Sequence, residues 1–288
     1  MATLLRLPAI PDSYNPVAET ADAAVAHWKA IELGRSRWTA VWRRRLAAIV
    51  ADEWRSRILP ALHQGASSMG HAIVLVEMAV HSDDDEWRAA LFRLYAEVAG
   101  DFAARTARGL KTWVAETKGQ AEADAVGAYG LEHRWIEVVG RYLALESGKK
   151  IRQIQGATLA LVRHELRRGV DAGESIPTIA ARLAKVVPGM AARRATTIAR
   201  TEIISASNLG ARAGALDTGL KLDHEWIATP GPRTRPWHAN ANGQRRPIDD
   251  PFVVMGQTLM FPGDGSMGAS GANLVNCRCT VGYRPASQ

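Results

Sequence analysis

"MAARRATTIARTEIISASNLGARAGALDTG", residues 190–219, is the stretch on which the reading of the fold turns. Small and apolar residues recur along it at helical intervals: Ala195, Ile198, Ala199, Glu202, Ala206, Leu209, Ala213 and Leu216. That spacing predicts a helix with one buried stripe. Glu202 falls on the stripe, so its carboxylate must reach the edge or find a buried donor. An arginine is the expected partner, and Arg200 lies too close along the helix to serve.

Upstream of this stretch the texture is helical from about Asp22. Ala, Leu, Arg and Glu dominate, and proline is rare. "WTAVWRRRLAAIVADEWRSRIL" places Trp38, Trp42, Leu46, Ile49 and Ile58 at helical intervals, with Arg43, Arg44 and Arg45 between them. "HSDDDEW" reads as a helix start, with carboxylates gathered at the positive end of the dipole. Further helical runs are expected over 86–117, 120–147 and 150–168. "GESIPTIAARLAKVVPG" reads as a short helix capped by Ser175 and ended by Pro188-Gly189. The tryptophans of this half are expected to be core or interface anchors.

Downstream, residues 220–288 change character. They are rich in Gly, Pro, Asn and Asp and hold short strand-like pieces: "HEWIAT", "PFVVM", "TLMFP" and "CRCTVGY". The fold class is therefore α+β: a large helical N-terminal body, then a small loop-rich module with short antiparallel strands. The chain of 288 residues is 47% apolar, enough for a substantial core. Its net charge of +7 favours nucleic acid or an acidic protein surface as partner. No secretory signal is read in the first sixteen residues, and the apolar run at 72–80 is too short to span a bilayer. The only two cysteines, Cys277 and Cys279, cannot form a disulfide framework and imply a reducing cytosol as the place of synthesis.

The chemistry-bearing residues gather in the last seventy positions. Thiolate plus imidazole is a zinc-type ligand set, so His238, Cys277 and Cys279 could hold a structural zinc, with His224 or a carboxylate as fourth ligand. The alternative is two small buried residues on one face of a strand. His238 with Asp249 or Asp250 and a cysteine could instead build a nucleophile and base, although no oxyanion turn accompanies them. "TPGPRTRPWHANANGQ", residues 229–244, is a loop whose arginines could contact phosphate or carboxylate, ending in an Asn242-Gly243 turn of hairpin type.

Taken in order, "ARTE", "HEWIAT", "RTRPWHANANGQ", "PIDDPF", "FPGD" and "NCRC" resemble the phage head-morphogenesis family, the Mu F-like minor head proteins. The resemblance covers roughly residues 150–285 and divides the chain into 1–149, a helical region without a recognised motif, and 150–288, the module. Its motif positions here are Arg200, Glu202, Trp226, His238, Asn242, Gly243, Asp264 and Asn276. This chain has Gly231-Pro232 where the family often carries acidic residues. The resemblance implies a minor capsid protein of a tailed phage or prophage, made in the bacterial cytoplasm and carried in the procapsid interior. It implies portal protein, scaffold or major capsid protein as partners, and non-specific contact with double-stranded DNA. Arg233, Arg235, Arg245 and Arg246 are the expected contact residues. It implies no catalytic activity; from the residues themselves no cofactor beyond the optional zinc, no membrane partner and no toxin domain after the module are expected.

Overall fold

The computed structural model describes residues 16–286 apart from 18, 65, 67, 83 and 127–130. The first fifteen residues and Asp83 of the acidic helix start lie outside that set. Helices come first: α1 Ala21–Glu53, α2 Leu59–His63, α3 Met69–Val80, α4 Asp85–Lys118, α5 Gln120–Ala125, α6 Leu131–Asp171 and α7 Ile176–Asp217. The C-terminal region then alternates β1 Leu222–Ile227, α8 Pro236–Asn240, β2 Arg245–Pro247, β3 Phe252–Val254, β4 Gln257–Leu259, α9 Gly271–Leu274 and β5 Thr280–Pro285. The α+β class holds, with a large helical N-terminal body.

Two expected breaks are absent. Helix α7 runs through Pro188, although proline lacks the N–H for one helical bond and costs about 3 kcal/mol there. Leu183, Val187, Ala191 and Ala195 are buried along one face on both sides of it, and that burial outweighs the local loss. Helix α6 likewise crosses residues 147–150 without interruption. A different irregularity lies between α1 and α2. Residues Trp54–Ile58 form one π-helical turn, in which Leu59 N donates to Trp54 O. Pro60 follows at once. It cannot donate to residue 56, and widening the preceding turn accommodates that missing bond.

The chain folds as two compact units. One comprises 41–92 and 144–199, and its elements among the described residues are all helical. Its core holds Trp42, Leu46, Trp54, Ile58, Trp87 and Leu183, so these three tryptophans act as core anchors, while Trp28, Trp38, Trp113 and Trp135 elsewhere are half-buried. Glu53 is buried within it, beside the half-buried Arg194. Burial pushes the Glu53 carboxyl up, with the Arg194 charge acting against that.

The other unit comprises 1–40, 93–143 and 200–288 and contains every strand. Its sheet runs β2-β1-β5, all antiparallel, beside a separate β3-β4 pair. The small-residue stripe of α7 explains how closely α4 approaches. A Cβ built on Gly210 would lie 2.2 Å from the Ala99 carbonyl oxygen, and one on Gly214 would lie 2.2 Å from that of Ala103. Only glycine permits those two backbone contacts. Along the same stripe Glu202 is buried and accepts a 2.9 Å hydrogen bond from the Tyr95 hydroxyl on α4. The stripe ends before Leu216, which is exposed.

Candidate functional site

Strand β1 sets the frame. Its register with β5 places Trp226 opposite Val281 and Ile227 opposite Thr280. The segment entering β5 therefore runs back beside Ala228 and Thr229. That segment is Cys277–Cys279, and it is extended chain before the strand rather than part of it. Both cysteines are buried. After β1 the loop 228–235 leads to α8, which begins on Pro236 and carries His238 inward. Proline suits that first turn because its missing N–H would have had no helical partner.

His238 and the two thiols meet. The Cys279 Sγ lies 3.4 Å from His238 Nδ1 and the Cys277 Sγ 3.6 Å from the same atom. The backbone N–H of Cys279 donates to Cys277 Sγ at 3.4 Å. The hydrogen bond from Cys277 pulls the Cys279 thiol well below its ordinary range, against the effect of burial. The same thiol–thiol bond, with burial, holds Cys277 up. The other ring nitrogen, His238 Nε2, is 3.1 Å from Asn273 Oδ1. Trp226 packs edge-on against the imidazole with centroids 5.5 Å apart.

Residues that no motif suggested hold this arrangement in place. Asn273 of α9 donates through Nδ2 to Val254 O and to Gln257 Oε1. Arg35 of α1 is buried and donates to Ser207 Oγ, Asn208 Oδ1, Thr280 Oγ1 and the carbonyls of Arg278 and Cys279. Asn208 in turn donates to Pro262 O and Cys279 O. Trp28 Nε1 donates to Arg278 O. Buried guanidinium and amide groups of this kind satisfy the carbonyls of an irregular segment that no strand partner reaches.

The motif positions fall into distinct roles. Asn276 has φ 56°, the left-handed turn that asparagine tolerates. Its N–H donates to Thr201 Oγ1 at 3.1 Å, and its Oδ1 accepts from Arg200 Nη1 at 3.5 Å. Asp264 is fully buried and accepts from the N–H groups of Met260 and Ser266, closing its loop. Asn242 Oδ1 accepts from Ala228 N, and Gly243, at φ 78°, donates to Trp226 O. The Asn242-Gly243 turn therefore joins α8 to β2 and is not a two-strand hairpin.

Several proposed partners of His238 stand elsewhere. The ring of His224 stacks on Phe252 with centroids 4.0 Å apart, and its Nε2 bonds the Asp250 carbonyl. Burial pushes its pKa down to about 4. Asp249 pairs with Arg212 at 3.4 Å. The group that meets His238 Nε2 is Asn273, not an aspartate.

Over the cluster lies a cleft of about 490 Å³, with His238, Cys277 and Cys279 in its lining. Arg200, Arg233, Arg235 and Arg278 also line it, as does Trp28. Burial, then the like charges of Arg278 and Arg233, depress the Arg200 pKa, while Glu32 opposes them. Arg245 and Arg246 are on β2, away from this cleft; Arg245 pairs with Glu225 at 3.5 Å.

The module thus brings together a Cys-x-Cys segment, a buried imidazole and an arginine-lined cleft. Residues 160–282 match the family model described as Phage Mu protein F like protein, so the C-terminal part of the chain is similar to the Mu F-like module. That match spans less than half of the chain and supports a role in phage head morphogenesis. A segment of 92 residues is also 29% identical to the NAD(+)--arginine ADP-ribosyltransferase EFV of Enterococcus faecalis (strain ATCC 700802 / V583). It covers 31% of this chain and 18% of that protein. No solved structure matches at the same stringency. Among the described residues no helix is long and apolar enough to cross a membrane.

Proposed function

We propose that the chain is a minor head protein of a tailed phage or prophage, acting in procapsid assembly at the portal or scaffold and touching the packaged genome. The observation that carries this reading is the joining of the two ends of the motif order. Thr201 and Arg200 of the "ARTE" segment hold Asn276 of "NCRC". The ordered motifs thereby build one folded unit with one arginine-lined face, and a few-copy structural role suits a unit of this kind. The partners are the portal protein, scaffold or major capsid protein, and the site of action is the procapsid interior.

The cleft arginines and those of β2 are the contact residues for acidic protein surfaces and phosphates. DNA contact of this type is independent of sequence and weakens with salt, because each neutralised phosphate releases counterions. The test is capture of purified chain on immobilised portal protein, alongside DNA binding across a salt series. Retention on portal, and a salt slope reduced by about one on Arg233→Ala, are expected. A folded chain that binds neither portal, scaffold nor DNA contradicts the proposal.

A further inference from the structure

We propose that His238, Cys277 and Cys279 form a metal site for one zinc-class divalent ion, whose fourth ligand is an anion entering from the arginine-lined cleft. This goes beyond the head-assembly reading and stands on the geometry of the cluster alone.

The first argument is distance. A tetrahedral zinc bound at about 2.3 Å to sulfur and about 2.0–2.1 Å to nitrogen sets its sulfur and nitrogen ligands about 3.6 Å apart. The two sulfurs here lie 3.4 and 3.6 Å from His238 Nδ1. The three donor atoms all fall within 4.8 Å of one another. A single imidazole nitrogen has one lone pair or one proton, so it can serve one thiol well but not two. A shared ion gives all three donors the same task.

The second argument is the tautomer. Both N–H groups of Asn273 are committed, to Val254 O and Gln257 Oε1. Its Oδ1 is therefore the atom turned to His238, and it can only accept. His238 Nε2 must carry the hydrogen, which leaves the Nδ1 lone pair aimed at the thiols. Metal-bound histidines are held in this way by an acceptor on the far nitrogen.

The third argument is charge. Two thiolates and a neutral imidazole neutralise a divalent ion, with one proton released from each thiol on binding. Among the described residues the cluster holds no fourth His, Cys, Asp or Glu. The lining that faces it carries Arg200, Arg233, Arg235 and Arg278. Four guanidinium groups select an anion for the remaining tetrahedral position.

The test uses the full chain, purified without chelator. Elemental analysis is expected to find about one zinc per chain. Cobalt replacement is expected to give thiolate-to-cobalt charge-transfer bands with tetrahedral d–d bands. Cys277→Ser and His238→Ala should abolish both signals. Asn273→Ala should weaken metal affinity about 10–100-fold. Inorganic phosphate should shift the cobalt bands, and less so in Arg233→Ala. Wild-type chain that is folded by circular dichroism yet retains no zinc and gives no cobalt–thiolate band overturns the site. Cobalt bands that ignore phosphate overturn the anionic fourth ligand.

Discussion

The two compact units bury polar groups for different ends. In the helical unit, Gln155 donates to Val80 O and to Asp84 Oδ1. Arg182 bridges Glu165 and Glu174. These groups tie one helix to another, with Gln155 also serving the last carbonyl of α3. In the strand-bearing unit, Arg35, Asn208 and Asn273 bond the backbone of loops and of the segment entering β5. There the side chain replaces a ladder that the backbone lacks. A lost polar group should therefore cost some stability in the first unit, but both stability and the shape of the site in the second.

The largest effect is expected from Arg35→Met. It removes two short charge-assisted bonds in a buried space, to Ser207 Oγ and Asn208 Oδ1, at about 1.5–3 kcal/mol each and about 4 kcal/mol in all, while Trp28 and Asn208 still reach the carbonyls of Arg278 and Cys279. Chemical denaturation should read that loss, and hydrogen exchange should show deprotection centred on 277–280. Loss of stability with no change at those amides would break the comparison.

Acid should act next. Burial holds the folded His224 pKa at about 4 against an ordinary 6.5. Its contribution is whole above the unfolded pKa, and is lost as pH falls from 6.5 to 4, because the unfolded chain takes up the proton first. The total is about 3 kcal/mol. Glu53 works with the opposite sign. Its raised carboxyl keeps a proton that the unfolded chain has released, so its contribution falls as pH rises out of the carboxylate range. Exchange protection corrected for intrinsic rates should drop toward acid around β1 and Phe252, and toward higher pH around Glu53. The same trend in both places would mean that these two groups do not govern it.

Gly210→Ala should cost about 2 kcal/mol, as its Cβ meets the Ala99 carbonyl. Gly140→Ala is the control, with nothing within 4 Å of its Cβ. The smallest effect belongs to the half-exposed Arg163–Glu77 pair of the helical unit. Arg163→Ala should change stability by less than about 1 kcal/mol, and less still in high salt.

Much of this was legible in residue order. The helical texture, the change after Gly219 and the pairing of thiols with His238 all follow from spacing and chemistry. Pro188 misled because proline normally ends a helix, and nothing local reveals the buried face that carries α7 through it. Strand β2 is three residues of "RRP" and has no alternation to read. Arg35 and Asn273 were silent for another reason. Neither belongs to a motif, and each acquires its role only when distant backbone arrives: Cys279 for Arg35, Val254 for Asn273.

The central claim is that the Mu F-like module works in head assembly through its arginine-lined face. The most direct measurement is quantification of the chain in purified procapsids, for wild type and for a folded Arg233→Ala/Arg235→Ala variant. The account predicts wild-type chain in a few copies per particle and a marked loss of the variant. Procapsids that lack the wild-type chain, or that incorporate both forms equally, would contradict it.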